Sequence, residues 1–343
     1  MEKQTTIKDI AIALNISTST VSRALRDAAD IKPETKKAVK ALAEELDYQP
    51  NRLALSLLNR QTHTIGVIIP NLDYVLSRMV RGIDEVALEA GYTVMVCQSD
   101  ESFGREIVNT KRLLESLVDG FIVSVSSETK VYEHIKKIQN KNIPLVLFDR
   151  IINSIDAPKV RLDNVDGGIQ ATQHLIEQGF KKIAILAGPE NLNISNKRME
   201  GYLQTLKQNG FRADKNFIIH CDFNQDYAYE ATKELLAMKH RPDAIFTISD
   251  RMAIGAMLAI KEKGLSMPKD IGLVGFNNEP ITGLVTPSIS SVELFAFEMG
   301  KATAKLFIEM LHSDADMSNQ EIVIKPKLFI RSSSQRNLLN KIR

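Results

Sequence analysis

From Thr64 onward, short runs of apolar and β-branched residues alternate with longer stretches whose apolar residues recur at helical spacing. Eight such runs form two sets of four: TIGVIIP, YTVMVC, DGFIVSV and IPLVLFD, then KKIAILAG, NFIIHCD, PDAIFTIS and DIGLVGF. Apolar strands separated by helices are typical of parallel sheets covered by helices on both faces. The pattern therefore predicts an α/β body of two similar, doubly wound parallel-sheet lobes.

The carboxyl ends of these predicted strands carry the candidate ligand contacts. Ligands of open parallel sheets bind outside those ends, and two lobes that face each other form a cleft there. The side chains at these ends are Asp149, Phe223, Ser249, Asp250 and Asn277. The aspartates could also cap helices or join salt bridges between the lobes. Because no phosphate loop, GxSxG elbow or nucleophile with a matched base accompanies them, we expect no enzyme activity and no cofactor.

The segment TIKDIAIALNISTSTVSRAL, residues 6–25, predicts two short helices joined by a tight turn. Asn15 suits a left-handed turn position, and Ser17 can cap the second helix. The second helix turns its apolar residues inward and leaves polar ones outward, namely Thr18, Ser19, Ser22 and Arg23. Hydroxyls and a guanidinium are groups that read a DNA major groove, although an ordinary helix pair at a domain end shows the same periodicity.

Two further helices are predicted before the body begins. Pro33 opens a third helix, whose inner face is expected to hold Thr35, Ala38, Val39, Leu42 and Leu46. The connector NRLALSLLNR then predicts a short helix with one apolar side, formed by Leu53, Ala54, Leu57 and Leu58. Since so short a helix is marginal alone in water, its apolar side needs a partner, and the alternative is a linker packed on its own domain.

The small positive charge of the chain lies at its amino end. Of 44 Lys and Arg and 42 Asp and Glu residues, the first 60 positions hold ten and eight, and the rest is balanced. This excess predicts only moderate attraction to phosphates, so tight DNA binding would require two headpieces acting together. A DNA-binding function therefore implies a dimer.

The sequence shows no sign of export, membrane insertion or metal binding. Its amino end lacks the apolar core of a signal peptide, and no run approaches the roughly 18 apolar residues of a membrane span, so we expect a cytoplasmic protein. Cys97 and Cys221 lie in predicted strands and are assigned neither a disulfide nor a metal. The six histidines form no HxxxH or HExxH pair.

With headpiece, connector and two-lobed body in this order, the chain resembles the LacI/GalR (lactose-repressor) family of bacterial transcription regulators over almost its whole length. The resemblance is carried by the helix pair above and by DYQPNRLALSL, RGIDEVALEAGY, LVLFDR, DNVDGGIQATQHLIEQGFKKIAILAGP, SDRMAIGAM, DIGLVGFNN and LFIRSSS. It implies a helix-turn-helix headpiece, a hinge helix and a periplasmic-binding-protein-like body. It also implies a homodimer that binds a pseudo-palindromic operator under the control of a small molecule in the interlobe cleft, and the expected small molecule is a sugar or phosphosugar.

The resemblance divides the chain into a headpiece at residues 1–49, a hinge helix and linker at 50–62, and an effector-binding and dimerisation domain at 63–343. The amino-terminal lobe is expected at about 63–161 plus 294–322, and the carboxy-terminal lobe at about 162–293 plus 323–343. The sequence after the last strand has no sustained heptad pattern, so we expect a dimer without a tetramer-forming helix.

The DNA contacts implied by the resemblance lie in two segments. Recognition-helix positions that match family contacts to bases or phosphates are Ser17, Thr18, Ser19, Thr20, Ser22 and Arg23. Among them, Thr18, Ser19 and Arg23 match the base-reading positions. In the hinge, Leu57 matches a leucine that enters the minor groove at the operator centre, and its companions are Asn51, Arg52 and Ala54.

The implied effector contacts are Asp149, Arg198, Phe223, Asp250 and Asn277. Arg198 could instead be a surface residue paired with an acid. The chain departs from the family pattern at Ser249, usually Asn, at Asn277, usually Asp, and in the loop NLDYVLSRM, which is one residue shorter. An amide in place of a carboxylate fits a less hydroxyl-rich or more anionic ligand, and a neutral sugar is also compatible. Induction or corepression, repression or activation, and a protein corepressor all fit these residues.

Two other functions fit the body alone. An exported sugar-binding protein would share its fold, but it would need a signal sequence and would leave the headpiece unexplained. An enzyme would depend on Asp149 and Asp250, which have no nucleophile, metal cluster or phosphate loop beside them. The sequence therefore favours a ligand-controlled DNA-binding regulator.

Overall fold

The structure, a computed structural model, describes residues 5–48, 61–313 and 315–336. The chain divides between Thr62 and His63 into two units. The hinge residues with expected DNA contacts lie outside the described residues, namely Asn51, Arg52, Ala54 and Leu57. Within the described ranges, no helix is long and apolar enough to cross a membrane.

In the first unit, the described residues 5–48 form three helices: α1 (Ile7–Ala13), α2 (Thr18–Leu25) and α3 (Pro33–Glu45). The turn between α1 and α2 forms as predicted, because Asn15 takes a left-handed φ of 50° and the Thr20 backbone N–H donates to the Ser17 hydroxyl at 3.1 Å. The core of this unit contains Ile10, Val21, Ala24 and Val39, all fully buried. The outward side of α2 is left polar.

The inner face of α3 differs from the predicted one at Ala38. That side chain is exposed, whereas Ala43 and Ile31 are buried beside Val39. Successive residues of a helix are rotated by about 100°, so the face that carries positions 39 and 43 turns position 38 toward solvent.

The described part of the second unit, residues 63–313 and 315–336, contains two sheets of six strands each. The strands are β1 (Thr64–Ile69), β2 (Thr93–Gln98), β3 (Gly120–Val123), β4 (Leu145–Phe148), β5 (Lys159–Leu162), β6 (Ile183–Ala187), β7 (Ile218–His220), β8 (Ala244–Thr247), β9 (Gly272–Asn277), β10 (Ser290–Glu293), β11 (Glu321–Ile324) and β12 (Lys327–Phe329). The strand orders are β11-β5-β4-β3-β1-β2 and β12-β10-β9-β8-β6-β7. Every pairing is parallel except that of β10 with β12.

Helices connect and cover these strands. They are α4 (Tyr74–Glu89), α5 (Phe103–Glu115), α6 (Glu133–Asn140), α7 (Asn164–Glu177), α8 (Asn193–Gln208), α9 (Gln225–Ala237), α10 (Asp250–Glu262), α11 (Ile281–Leu284) and α12 (Ala296–His312), with a 3-10 turn at Lys215–Phe217. The predicted α/β class with two parallel-sheet lobes is confirmed. The apolar runs that predicted strands become β1 to β4 and β6 to β9.

Strands β5, β10, β11 and β12 have no counterpart among the predicted runs. The first three have four residues each and β12 has three, and the burial of β5 and β11 alternates, so neither of these two reads as a continuous apolar run. The first three mark where the chain crosses between the sheets, which happens after β5, after β10 and after β11. Because β11 stays in the first sheet to Ile324, the amino-terminal lobe extends slightly past the expected limit of about 322.

Helices α4 and α12 pack backbone to backbone at two glycines. A Cβ at Gly82 would lie 2.2 Å from the Phe297 carbonyl oxygen, and a Cβ at Gly300 would lie 2.0 Å from that of Met79. Any larger residue would therefore force the helices apart. Through this contact, α12 packs against the amino-terminal lobe, although it follows β10 of the other sheet in the chain.

Candidate functional site

The outward side of α2 carries the predicted DNA contacts. Ser17, Thr18, Ser19 and Arg23 are exposed, and Thr20 and Ser22 are half-buried. The Arg23 guanidinium lies 2.7 Å from the Asp30 carboxylate, with side chains 48% and 55% exposed. An exposed ion pair contributes about 0–1 kcal/mol, so Arg23 can exchange Asp30 for a phosphate or a base at small cost.

A cavity of about 600 Å³ lies between the carboxyl ends of the strands of the two lobes. This volume is within the range of roughly 300–1,000 Å³ that is usual for small-molecule sites. Of the predicted effector residues, four line the cavity: Asp149, Arg198, Phe223 and Asn277. Ser249, where the chain departs from the family pattern, also lines it.

Left-handed backbone conformations turn several polar side chains toward the cavity. Asp149 follows β4 with a φ of 55°, Glu101 follows β2 with 58°, and Asn277 ends β9 with 110°. Asp and Asn tolerate this region better than most residues because their short side chains bond locally. The strand ends thus combine a sharp change of chain direction with groups suited to a polar ligand.

Asp149 presents a carboxylate to the cavity. Its side chain is half-buried, and among the described residues it accepts no side-chain hydrogen bond that would occupy its oxygens. Burial raises the pKa of Asp149, against the opposing charges of Arg150 and Arg198. A ligand hydroxyl would supply the hydrogen bond that this carboxylate lacks.

Arg198, on α8, is held on three sides. Its Nε donates to Asn164 Oδ1 at 2.8 Å, Nη1 donates to the Ile248 carbonyl oxygen at 2.6 Å, and its guanidinium carbon lies 3.7 Å from the centre of the Phe276 ring. Burial lowers its pKa to about 10, so the group stays charged at neutral pH. With no partner for Nη2 among the described residues, that nitrogen is left to a ligand.

A second buried arginine in the wall is one that the sequence reasoning missed. Arg150 donates to both carboxylate oxygens of Glu101, at 2.7 and 2.9 Å, and its guanidinium carbon lies 5.5 Å from the centre of the Phe223 ring. Burial would raise the pKa of Glu101, but the charge and hydrogen bonds of Arg150, with the Ser127 backbone N–H, hold it below its usual value. The charges of Arg150 and Glu101 cancel each other, so this pair attracts a charged ligand only weakly.

Asp250 is the predicted effector residue that the structure does not place at the cavity wall. It is fully buried, with Oδ1 accepting the Ser291 hydroxyl at 2.6 Å and Oδ2 accepting the Glu279 backbone N–H at 2.7 Å. Its neighbours Ser249 and Arg251 line the cavity instead. Asp250 therefore holds the loop that bears Glu279 and acts beneath the cavity rather than inside it.

We expect Asp250→Asn to raise the free energy of unfolding at pH 8 by at least about 1 kcal/mol relative to wild type. At pH 5 the same substitution should change the free energy of unfolding less. Burial raises the pKa of Asp250 to about 8 from 3.8. An acid with a raised folded pKa binds its proton more tightly in the folded state, so its contribution is full at low pH and is lost as the pH rises from about 4 to 8. Urea unfolding at both pH values measures this difference.

Asp222→Asn is the matched control, because Asp222 is an exposed aspartate at the rim of the same cavity. We expect it to change the free energy of unfolding little, because an exposed side chain makes few contacts. If Asp250→Asn and wild type kept the same pH dependence, the buried carboxyl would not be the titrating group. The asparagine can still accept from the Glu279 N–H and donate to Ser291, so misfolding is not expected.

Comparison with known proteins adds to this geometry. Residues 6–51 match the family described as bacterial regulatory proteins, lacI family, and residues 172–334 match the periplasmic binding protein-like domain. The chain is 32% identical to the ribose operon repressor of Halalkalibacterium halodurans over 332 residues, which is 96% of this chain and 97% of that protein.

Two solved structures are similar over nearly the whole chain. One is a lac repressor dimer bound to operator and the anti-inducer ONPF, with a TM-score of 0.87 at 24% identity, covering 97% of this chain and 99% of that one. The other is the transcriptional regulator CelR in complex with cellobiose, with a TM-score of 0.71 at 26% identity, covering 96% and 100%.

Proposed function

The chain belongs to the LacI family of bacterial regulatory proteins, and we propose that the effector bound in its interlobe cavity is a neutral sugar. Like its relatives, the chain is a DNA-binding transcriptional regulator of the repressor type that binds operator DNA as a dimer under the control of a small molecule. The relatives are repressors and not enzymes. The class of effector is argued from the cavity.

The observation that carries the proposal is the balance of charge around the cavity. Glu101 already neutralises Arg150, and Arg198 lies within the field of Asp149. Apart from these two pairs, four carboxylates line the cavity against two cations: Asp73, Glu128, Asp222 and Glu279 against Lys130 and Arg251. Burial and then the nearby Asp73 raise the pKa of Glu279, against the opposing charge of Arg251 and a hydrogen bond with Asn277. A phosphate would add charge of the same sign, which disfavours a phosphosugar.

The remaining cavity surface suits a sugar ring. Phe223 offers an aromatic face, and Leu76, Ile194 and Leu294 provide apolar walls. Sugar rings bind with their C–H face on such surfaces, while hydroxyls bond polar groups at the edges. Asn277 offers both a donor and an acceptor there, in keeping with hydroxyls that do both. Two similar proteins support a sugar as the class of effector. One is named for a ribose operon, and the other was solved in complex with cellobiose.

The test compares neutral and phosphorylated sugars on the full-length chain. D-Ribose, D-glucose and cellobiose are titrated beside D-ribose 5-phosphate and D-glucose 6-phosphate, with binding followed by calorimetry and operator affinity measured in parallel. We expect at least one neutral sugar to bind and to change operator affinity. Tighter binding of a phosphosugar than of its parent sugar would contradict the charge argument. The sign of the change in operator affinity distinguishes induction from corepression.

We also propose that the residues of α2 and of the hinge that match the family's DNA-contact positions contact DNA in this protein. The α2 set is Ser17, Thr18, Ser19, Thr20, Ser22 and Arg23. Support for it comes from the polar, outward side of α2 in a helix pair whose turn and cap are formed. The hinge set is Asn51, Arg52, Ala54 and Leu57, with Leu57 entering the minor groove.

Arg23→Ala is expected to relax the preferred base at one position of each operator half-site. A bidentate arginine contact to guanine contributes about 1–3 kcal/mol of discrimination. Selection of binding sites from random DNA, compared with wild type, measures this directly. Asp30→Ala is the control, because it removes the intramolecular partner of Arg23 and should leave the selected sequence unchanged. Weaker binding by Arg23→Ala with an unchanged selected sequence would indicate a phosphate contact instead.

Exposed apolar side chains suggest where two copies meet. One group lies on strand β2 and helix α5, with Met95 41%, Val96 36% and Val108 44% exposed. Another lies on α11, with Ile281 42% and Leu284 79% exposed. Apolar side chains grouped on a surface are typical of protein interfaces. We assign both groups to the dimer interface that operator binding requires.

A further inference from the structure

We propose that Asn164 positions Arg198 for the effector and links that arginine to the chain crossovers between the lobes. The inference rests on the proposed function in one respect, since it takes the cavity that Arg198 lines as the effector site. Asn164 itself is not among the residues that line the cavity. Its role is therefore that of a positioning residue, which acts through Arg198 and does not touch the ligand.

The contact between the two side chains is buried on both sides. Asn164 is 5% exposed and Arg198 is 3% exposed, and Nε of the arginine donates to Oδ1 of the asparagine at 2.8 Å. Without that oxygen, a charged N–H group would lie buried with no acceptor. Asn164 also donates through Nδ2 to the Leu162 carbonyl oxygen at 3.4 Å, which orients its amide with the oxygen toward the arginine.

Tight packing of α7 fixes both the backbone of α8 at Arg198 and the aromatic ring on which the guanidinium lies. A Cβ at Gly168 would lie 2.2 Å from the Arg198 carbonyl oxygen, and a Cβ at Gly167 would lie 2.7 Å from the Phe276 ring. The first turns of α7 therefore press against α8 on one side and against the Phe276 ring, over which the arginine lies, on the other. With Nε and Nη1 both engaged, the direction of the remaining N–H groups is fixed before a ligand arrives, which lowers the entropic cost of binding.

The place of Asn164 in the chain provides the link to lobe movement. It is the first residue of α7, immediately after the crossover that leaves β5 at Leu162. The preceding residue, Asp163, ties that crossover to another one, because its backbone N–H donates to the Ile324 carbonyl oxygen at 2.8 Å and its carboxylate lies 2.7 Å from Lys325 Nζ. A rotation of the lobes about these crossovers would move the anchor of Arg198, so a ligand held by the arginine favours one lobe arrangement.

Asn164→Ala and Asn164→Asp separate positioning from a general structural role. The alanine variant loses the acceptor, whereas the aspartate variant keeps one in the same place. For D-ribose, D-glucose and cellobiose, we expect affinity to fall about 10- to 100-fold in Asn164→Ala and to return to within a few fold of wild type in Asn164→Asp. The change in operator affinity caused by a saturating sugar should shrink in Asn164→Ala and be restored in Asn164→Asp.

A second measurement needs no sugar. In the full-length chain labelled with 15N-arginine, the Nε–H signal of Arg198 is identified by its absence in Arg198→Lys. We expect that signal to exchange slowly with solvent in wild type and in Asn164→Asp, and at least about tenfold faster in Asn164→Ala, because a buried hydrogen bond protects it.

The outcomes distinguish this inference from the proposed function. If wild type binds none of the three sugars, the proposed effector class fails, and the Nε–H exchange alone decides whether Asn164 positions the arginine. Wild-type sugar affinity or wild-type exchange in Asn164→Ala would overturn the inference. Equal loss of affinity in both variants, with both folded by circular dichroism, would also overturn it, because the acceptor oxygen would then not be the decisive feature.

Discussion

Arg198→Met is expected to abolish the response of operator binding to a neutral sugar. Methionine keeps an apolar side chain over the Phe276 ring but removes every donor that Arg198 offers to the cavity. Hydrogen bonds to charged groups contribute about 1.5–3 kcal/mol each, so sugar affinity should fall at least about tenfold. Calorimetric titration with D-ribose, D-glucose and cellobiose, followed by operator binding with and without sugar, measures both effects.

The same substitution should lower the stability of the body. Asn164 Oδ1 and the Ile248 carbonyl oxygen lose their charged donor and are left buried, at a cost of about 1–3 kcal/mol each. Lys197→Met is the matched control, since it removes a charge from the same helix, where Lys197 is 45% exposed and paired with Glu200. An Arg198→Met protein that still responds to sugar like Lys197→Met would show that the arginine does not contact the effector.

The main features of the fold follow from local patterns that can be recognised in the sequence alone. The runs that became β1 to β4 and β6 to β9 are nearly continuous and apolar, and their carboxyl ends led directly to Asp149 and Asn277. Asn15 and Ser17 are also local signals, because a left-handed turn and a helix cap depend on a few neighbouring residues.

The contacts that complete the site depend on pairs far apart in the chain. Glu101 lies in a loop with no periodic pattern, and its role appears only in the folded structure, where Nη1 and Nη2 of Arg150, 49 residues away, donate hydrogen bonds to its carboxylate. Asn164 and Arg198 are 34 residues apart and meet because α7 and α8 pack closely. Asp250 shows the reverse case, since its position after a strand was evident, but the loop bearing Glu279 folds over it and separates it from the cavity. Local pattern identifies strand ends, whereas packing decides which side chains face the ligand.

Leu284→Asp is expected to weaken the dimer and, through it, to lower operator affinity by about 10²- to 10⁴-fold. Leu284 is 79% exposed on α11, and in a symmetric dimer each substitution occurs twice across the interface. Two carboxylates would then have to be desolvated without a partner, which costs several kcal/mol. Because each subunit supplies one headpiece, a monomer loses the gain in affinity from binding two half-sites at once.

Light scattering as a function of concentration measures the dimer, and titration of a labelled palindromic operator, selected from random DNA, measures the consequence. Leu117→Asp is the control, because Leu117 is 62% exposed in the same lobe as β2 but lies in neither apolar group assigned to the interface. The control should stay dimeric and bind operator as wild type does. If Leu284→Asp stayed dimeric with unchanged operator affinity, the α11 group would lie outside the interface. A monomeric Leu284→Asp with unchanged affinity would instead show that a single headpiece is sufficient, contrary to the small positive charge of the amino-terminal segment.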